Sequence, residues 1–385
     1  MMFIHQLANW PNFTWDRSAL AEKLAAVRHQ QGRLIGRLES LGFPLQQEAV
    51  LKTLTEDVLK SSEIEGETFD AALVRSSVAR RLGMDAGGLK AKDDHLEGVV
   101  EMMLDATRSF GEPLTADRLF GWHATMFPAG RSGMSSIRVG AWRDDAKGPM
   151  QVVSGPIGRE RVHYQAPAAE RIEAEMARFL DWFGNETEAD WVVKAAIAHL
   201  WFVTIHPFED GNGRIARAIA DRALARSESS PQRFYSMSAR IRQEREDYYS
   251  ILEQTQRGSM DITSWMNWFF NCLGRAIEEA QLTLASVLGK ARFWESIATV
   301  QLNERQRKVL NLLLDGIEGK LTTSKWAKLT KSSQDTAARD IASLMGHGIL
   351  QRNQRTLHVA GQLQLLTGSR KNLFNFRQGP VVAVF

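Results

Sequence analysis

Apolar residues recur at helical spacing through the first hundred positions, with little Pro or Gly between them. Leu20, Leu24, Val27 and Ile35 form one stripe, and Val50, Leu51, Leu54, Val58 and Leu59 form another, so this region reads as several helices. The texture changes between Gly140 and Pro167, where four glycines and three prolines surround two short β-rich pieces, Gln151–Ser154 and Arg161–Tyr164. Joined through Gly155-Pro156-Ile157-Gly158, these predict a hairpin. Helical texture resumes from Ala168 to about Arg226, and again from Arg240 to Phe293.

A second change comes near Gln301. Asn303–Gly316 reads as an amphipathic helix with a Gly stop, and Thr322-Thr323-Ser324 offers N-cap residues for the next. Lys331-Ser332-Ser333-Gln334 makes a tight turn before a helix ending at Gly346 or Gly348, and Leu350, Leu357 and Val359 follow in strand-like pieces. Three helices, a short turn and a β-rich tail predict a winged helix-turn-helix. The expected architecture is mainly α with one hairpin, in three parts: residues 1–110, 111–295 and 300–385.

Composition narrows the class. At 44% hydrophobic and 24% charged residues, the chain is ordinary for a globular protein and is not mainly disordered. No run approaches the ~18 apolar residues of a membrane span, and no basic-then-apolar leader opens the chain, so a soluble cytoplasmic protein without a membrane partner is expected. Cys272, the one cysteine, can form neither an internal disulfide nor a Cys-based metal site. Charge is unevenly placed. Residues 303–385 hold 13 Lys+Arg against 5 Asp+Glu, while the preceding 302 hold 35 against 40. A basic tail on a slightly acidic body suits a separate module with an anionic partner.

The chemistry concentrates in one string, His206-Pro-Phe-Glu-Asp-Gly-Asn-Gly-Arg-Ile-Ala-Arg217, between an apolar helix and an Ala-rich one. Pro207 ends the first helix and leaves His206 at a loop. Gly211 and Gly213 let the backbone turn tightly and approach a ligand. The next helix then points free N–H groups and its positive end into the loop, which makes an anion site. Arg214 and Arg217 can clamp further phosphate oxygens, Asp210 is a hard ligand suited to Mg²⁺, and His206 can accept a proton from a hydroxyl. Base, metal ligand, anion cradle and cationic clamp within twelve residues fit transfer of a phosphate-containing group.

The string resembles the Fic signature, HPF-x-[DE]-G-N-G-R-x-x-R, at every specified position, and the resemblance extends over roughly Leu114 to Leu288. It implies a Fic-type helical core with a β-hairpin flap, ATP with Mg²⁺, and AMP transfer to a Ser, Thr or Tyr hydroxyl of a protein. By that resemblance His206 is the base, Asp210 holds Mg²⁺, and Gly211, Asn212 and Gly213 form the anion hole. Arg214 meets the phosphates and Arg217 reaches the γ-phosphate. The hairpin corresponds to the flap that registers a target segment by strand addition, with Val153, Ser154, Gly155 and Pro156 nearest the nucleotide. Tyr248 and Tyr249 match a pair near the adenosine, with Gln256 where Asn is common.

Upstream, Ser61-Ser-Glu-Ile-Glu65-Gly66 matches a second pattern of the family, [ST]-x-x-x-E-[GN]. It implies a brake in which Glu65 pairs with Arg217 and repels the γ-phosphate. The plain alternative is a solvated helix face to which Glu63 and Glu67 also belong. In the C-terminal part, Ser332, Ser333, Gln334, Thr336 and Arg339 lie at or near the start of the recognition helix, where they suit DNA contacts as well as a protein interface. Two functions follow: a self-inhibited AMP-transferase, with its protein target and a homodimer left open, or a DNA-binding regulator that uses the fold as a nucleotide sensor.

Overall fold

Asp70, Asp93, Thr115 and Asp190 each accept hydrogen bonds from backbone amides two or three residues ahead, and a helix starts after each. The computed structural model describes residues 2–39, 42–84, 93–154, 159, 161–185, 190–314, 321–353 and 356–359. The chain divides into two compact units, Met1–Thr283 and Leu284–Phe385. In chain order the first unit holds α1 (Arg17–Glu39), α2 (Phe43–Ile64), α3 (Ala71–Arg81), α4 (Asp94–Arg108) and α5 (Ala116–Met126). Two hairpins follow, β1 (Arg131–Ser132) with β2 (Ser135–Ser136) and β3 (Gln151–Ser154) with β4 (Arg161–Gln165). Then come α6 (Ala169–Gly184), α7 (Trp191–Ile205), α8 (Asn212–Glu228), α9 (Met237–Gln243), α10 (Arg245–Gln256) and α11 (Thr263–Ser296).

The core sits around α7. Its sequence, WVVKAAIAHLWFVTI, is apolar on every side, which a helix tolerates only when surrounded by protein. Ala195, Ala198, Leu200, Phe202 and Ile205 are fully buried. Helices α6 and α8 pack on α7, α4 packs on α5 and α8, and α2 on α3 and α9. The opening segment is tied to this core, since the Trp10 indole donates to Glu175 at 2.9 Å and Phe13 meets Trp201 edge-on. Trp10 is buried and acts as a packing aromatic.

The second unit takes the end of α11, then α12 (Glu304–Leu314), α13 (Thr323–Thr330), α14 (Gln334–Gly346), and the hairpin β5 (Leu350–Asn353) with β6 (Thr356–Val359). Val309, Leu310, Trp326, Ile341, Leu344 and Leu350 form its core. Three helices and a hairpin follow in the order expected of a winged helix-turn-helix, and the rest of that expected domain, residues 360–385, lies outside the described residues. The division between the units falls inside α11, whose helix continues past Thr283 to Ser296 before the chain leaves helical structure ahead of α12. Among the described residues no helix is long and apolar enough to cross a membrane.

One contact fixes the approach of α4 to α5. A Cβ at Gly98 would overlap the Thr125 carbonyl and crowd the Met126 amide. Met126 and Phe127 in turn lie against Gly211, so the spacing of these helices sets one wall of the His206–Arg217 loop. Gly98→Ala should therefore destabilise by about 1–3 kcal/mol through overpacking. Gly121→Ala on α5, where a Cβ meets nothing within 4 Å, should stabilise by about 0.5–1 kcal/mol through lower backbone entropy of the unfolded chain. Thermal denaturation of the two variants reads this, and equal melting temperatures would contradict it.

Candidate active site

His206 caps α7 in the left-handed conformation, φ 53° and ψ 58°, because the following proline disfavours another helical residue. Its amide still bonds to the Phe202 carbonyl at 2.9 Å. The ring Nδ1 lies 3.2 Å from the Val203 carbonyl, an acceptor only, so Nδ1 carries the proton and Nε2 keeps its lone pair. Desolvation lowers the His206 pKa to about 4, and the nearby Arg143 cation pushes the same way against the Val203 carbonyl, Glu65 and Asp210. The imidazole is thus neutral and ready to accept a proton near pH 7. Buried Arg143 steadies it: Nε donates to the His206 carbonyl at 2.8 Å, Nη1 to Asp145 at 2.7 Å, and its amide bonds to the Pro207 carbonyl.

The loop to α8 is closed by its own side chains. Asn212 accepts from the Phe208 amide at 3.0 Å and donates to the Phe208 carbonyl at 2.8 Å. Asp210 Oδ1 accepts from the Gly211 amide at 2.5 Å, and Oδ2 accepts from the Ser132 hydroxyl on β1. The Gly211 amide is therefore already engaged, whereas Asn212, Gly213 and Arg214 precede the first intrahelical bond, Ile215 to Gly211. Neutral His123 supports the loop from below, stacked on Phe208 with centroids 4.3 Å apart, and burial brings its pKa to about 4.

An anion already occupies the start of α8. The Glu65 carboxylate lies directly over Gly213, where an added Cβ would collide with Oε1, and it accepts from Arg217 Nη2 at 2.7 Å. Arg217 also donates from Nε to the Ser61 hydroxyl and from Nη2 to the Ser61 carbonyl, each at 3.0 Å. Its side chain is 1% exposed and Nη1 has no partner. One turn closer to the loop, Arg214 donates from Nη1 to Glu67 at 2.6 Å, lies over the Phe127 ring, and leaves Nε unpartnered. Glu67 also accepts from His95 Nε2 at 3.0 Å, while His95 Nδ1 contacts the Met126 carbonyl. Acceptors on both sides require a doubly protonated imidazolium, and the Glu67 contact accordingly raises the His95 pKa. Burial alone would raise the Glu67 pKa, but His95 and Arg214 outweigh it and the net shift is downward.

The end of α2 explains how both carboxylates reach α8. Gly66 adopts φ +86°, the Glu67 amide bonds back to the Ser62 carbonyl and the Gly66 amide to Glu63. This reversal places Glu65 and Glu67 on either side of the glycine. Glu63 stays on the outer surface with Lys60 and Arg242, whereas Glu67 turns onto Arg214, unlike in the alternative reading that put both on one solvated face.

The other expected residues spread along α10 and the hairpin. Tyr248 is buried and its hydroxyl lies 2.9 Å from His199 Nε2; desolvation lowers the His199 pKa to about 3, and the nearby Arg217 cation pushes the same way. Tyr249 is 39% exposed, with Arg245 over its ring. Gln256 is buried and donates to Thr204 at 3.3 Å, inside the helix packing. In the hairpin, Val153 and Val162 stay exposed, and the Ser154 hydroxyl lies 2.6 Å from His163 Nε2, with Glu253 of α10 2.6 Å from His163 Nδ1. Gly155 and Pro156 lie outside the described residues. In the second unit Ser333 caps α14 by accepting from the Thr336 amide, Ser332 contacts Thr330, Gln334 opens α14, and Arg339 reaches Thr336 and the Asp335 carbonyl.

Among the described residues no group of three His, Cys, Asp or Glu side chains could alone hold a metal. Asp210 is a single hard carboxylate beside an anion cradle, which fits Mg²⁺ taking its remaining ligands from phosphates and water. Sequence reasoning missed Glu67, His95, Ser132 and Arg143, whose partners lie far along the chain; for Arg143 the Gly140–Arg143 turn was the only signal.

Residues 3–84 match a domain of unknown function, DUF4172, and residues 113–224 match the Fic/DOC family. The protein adenylyltransferase Fic of Nematostella vectensis is 26% identical over 243 residues, covering 60% of this chain and 49% of that protein. Protein adenylyltransferase fic-1 of Caenorhabditis briggsae is 35% identical over 85 residues, covering 21% of this chain and 17% of its own. The chain thus spans about half, or less, of the curated relatives it matches. A crystal structure of a Fic family protein from Desulfovibrio desulfuricans G20 shares the fold, at 20% identity and a TM-score of 0.50 over 91% of this chain and 98% of that one. The loop from His206 to Arg217 lies wholly within residues 113–224, and by that stretch the chain carries a Fic domain of the Fic/DOC family.

Proposed function

We propose that the chain is a protein adenylyltransferase that moves AMP from ATP to a Ser, Thr or Tyr hydroxyl of a target protein, itself among the candidates, and that Glu65 on Arg217 holds it silent. The observation that carries this reading is the carboxylate of Glu65 seated as an anion over the start of α8, on a buried arginine with an unpartnered N–H. A phosphate oxygen suits the same donors. The names of the curated relatives support AMP transfer as the reaction. The C-terminal unit, read as a winged helix, serves as a docking module.

In this mechanism the target hydroxyl loses its proton to His206 Nε2 as its oxygen attacks the α-phosphorus. The bond to the β-phosphate oxygen breaks and pyrophosphate leaves. The free amides of α8, Arg214 and Arg217 balance the charge that builds on the phosphates. Mg²⁺ held by Asp210 would neutralise the α- and β-phosphates and position them. Arg143 holds the His206–Pro207 peptide so that the base keeps its tautomer and aim.

Wild type, Glu65→Gly and Glu65→Gly/His206→Ala proteins, incubated with α-labelled ATP, Mg²⁺ and cell lysate, test this directly. Label should appear on protein with the single variant alone, and loss of His206 should lower the rate by about 10²–10⁴-fold. No label from any of the three would contradict the transferase reading.

The acid limb follows from His206. A base works unprotonated, so kcat/KM of the Glu65→Gly variant should stay level from neutral pH downward and fall only as pH drops through about 4. Removing Glu65 deletes one contribution that raises this pKa, which moves the limb lower still. A fall centred near the ordinary histidine value of about 6.5 would contradict the desolvated base.

A further inference from the structure

The Glu67–Arg214 pair is separate from the Glu65–Arg217 pair and acts at a different point of the site. Arg214 lies in the first turn of α8, beside the amides that open the helix, and Arg217 lies about 4.5 Å further along the axis. The two guanidiniums therefore address successive phosphates of one chain, Arg214 the inner and Arg217 the terminal one.

Arg214 is 1% exposed, and a buried guanidinium is tolerated only with an anion beside it. Glu67 supplies that anion at 2.6 Å, and the pair is braced from outside by His95, itself anchored on the Met126 carbonyl. The unpartnered Arg214 Nε shows that the guanidinium has donor capacity the carboxylate does not use. Gly66 lets Glu67 reach this position while Glu65 reaches the other, so the end of α2 presents two carboxylates to two arginines.

We propose that Glu67 is a specificity-determining residue of this site: seated on Arg214, it excludes the inner phosphate of the chain, so that the closed protein turns away nucleoside diphosphates as well as triphosphates. Glu65 alone does this less well, because a nucleoside diphosphate has no third, γ-phosphate to place on Arg217. The inference rests on the reading of the α8 N-terminus as the phosphate site of a nucleotide.

Calorimetric titration of the full chain with ADP and with ATP, each with Mg²⁺, separates the two carboxylates. Relative to wild type, Glu67→Gln should bind ADP about tenfold more tightly, a usual size for coupling between competing groups. Glu65→Gln should tighten ATP by more than it tightens ADP. His95→Ala, which removes the brace and keeps the Glu67 charge, should shift ADP affinity in the same direction by less. Circular dichroism melts identify folded variants, and His95→Ala carries the test if Glu67→Gln does not fold. ADP affinity unchanged in both the Glu67 and His95 variants, with ATP tightened by Glu65→Gln, would overturn the role of Glu67 and leave the nucleotide site standing. No binding of either nucleotide to any variant would overturn the nucleotide-site reading and this inference with it.

Discussion

A guanidinium taken out of water needs an anion beside it, and the first unit of this protein is organised around that need at Arg217. The residue sits inside the turn of helix that opens the Fic loop, 1% exposed, and meets both the hydroxyl and the carbonyl of Ser61 before it meets Glu65. The N-terminal helices are therefore joined to the core through the same cation that a phosphate would use. On the proposed reading, a phosphate entering here would exchange with a group already present, and that exchange would couple the position of α2 to the chemistry at His206.

The surroundings keep the exchange sharp. Burial of Arg217 strengthens its pairing with Glu65 relative to water, and on the proposed reading that carboxylate competes with a phosphate for the positive end of α8. The same burial keeps His206 neutral, with its proton on Nδ1 by virtue of the Val203 carbonyl. Arg143 and Asn212 add no reacting group; they hold the peptide on each side of the loop so that base and anion cradle face one place. Gly98 contributes at longer range by letting α4 approach α5 closely enough for Phe127 to wall the loop.

Much of this was legible in the sequence where the signal is contiguous. Twelve adjacent residues carry the proposed base, the proposed anion cradle and both arginines, and the hairpin and the apolar α7 announce themselves by local texture. Glu65 could be found only because a short pattern marks it; its partner lies 152 residues away. No pattern marks Glu67, 147 residues from Arg214, and a carboxylate beside an exposed helix end reads as solvated until the turn at Gly66 is seen. Ser132 and His95 are likewise ordinary in sequence and acquire meaning only from the packing of β1 and α4 against the loop. The division at Thr283 has no local signal of its own, because α11 carries helical periodicity straight through it.

The central claim is that Glu65 stands where a nucleotide phosphate belongs. A crystal structure of the Glu65→Gly protein with Mg²⁺ and a non-hydrolysable ATP analogue tests it most directly. The account predicts the terminal phosphate on Arg217, over Gly213, in the place Glu65 holds here, with the inner phosphate at Arg214 and the α-phosphorus facing His206 Nε2. A nucleotide bound elsewhere, with Arg217 still committed to Ser61 and the space over Gly213 taken by solvent, would contradict it.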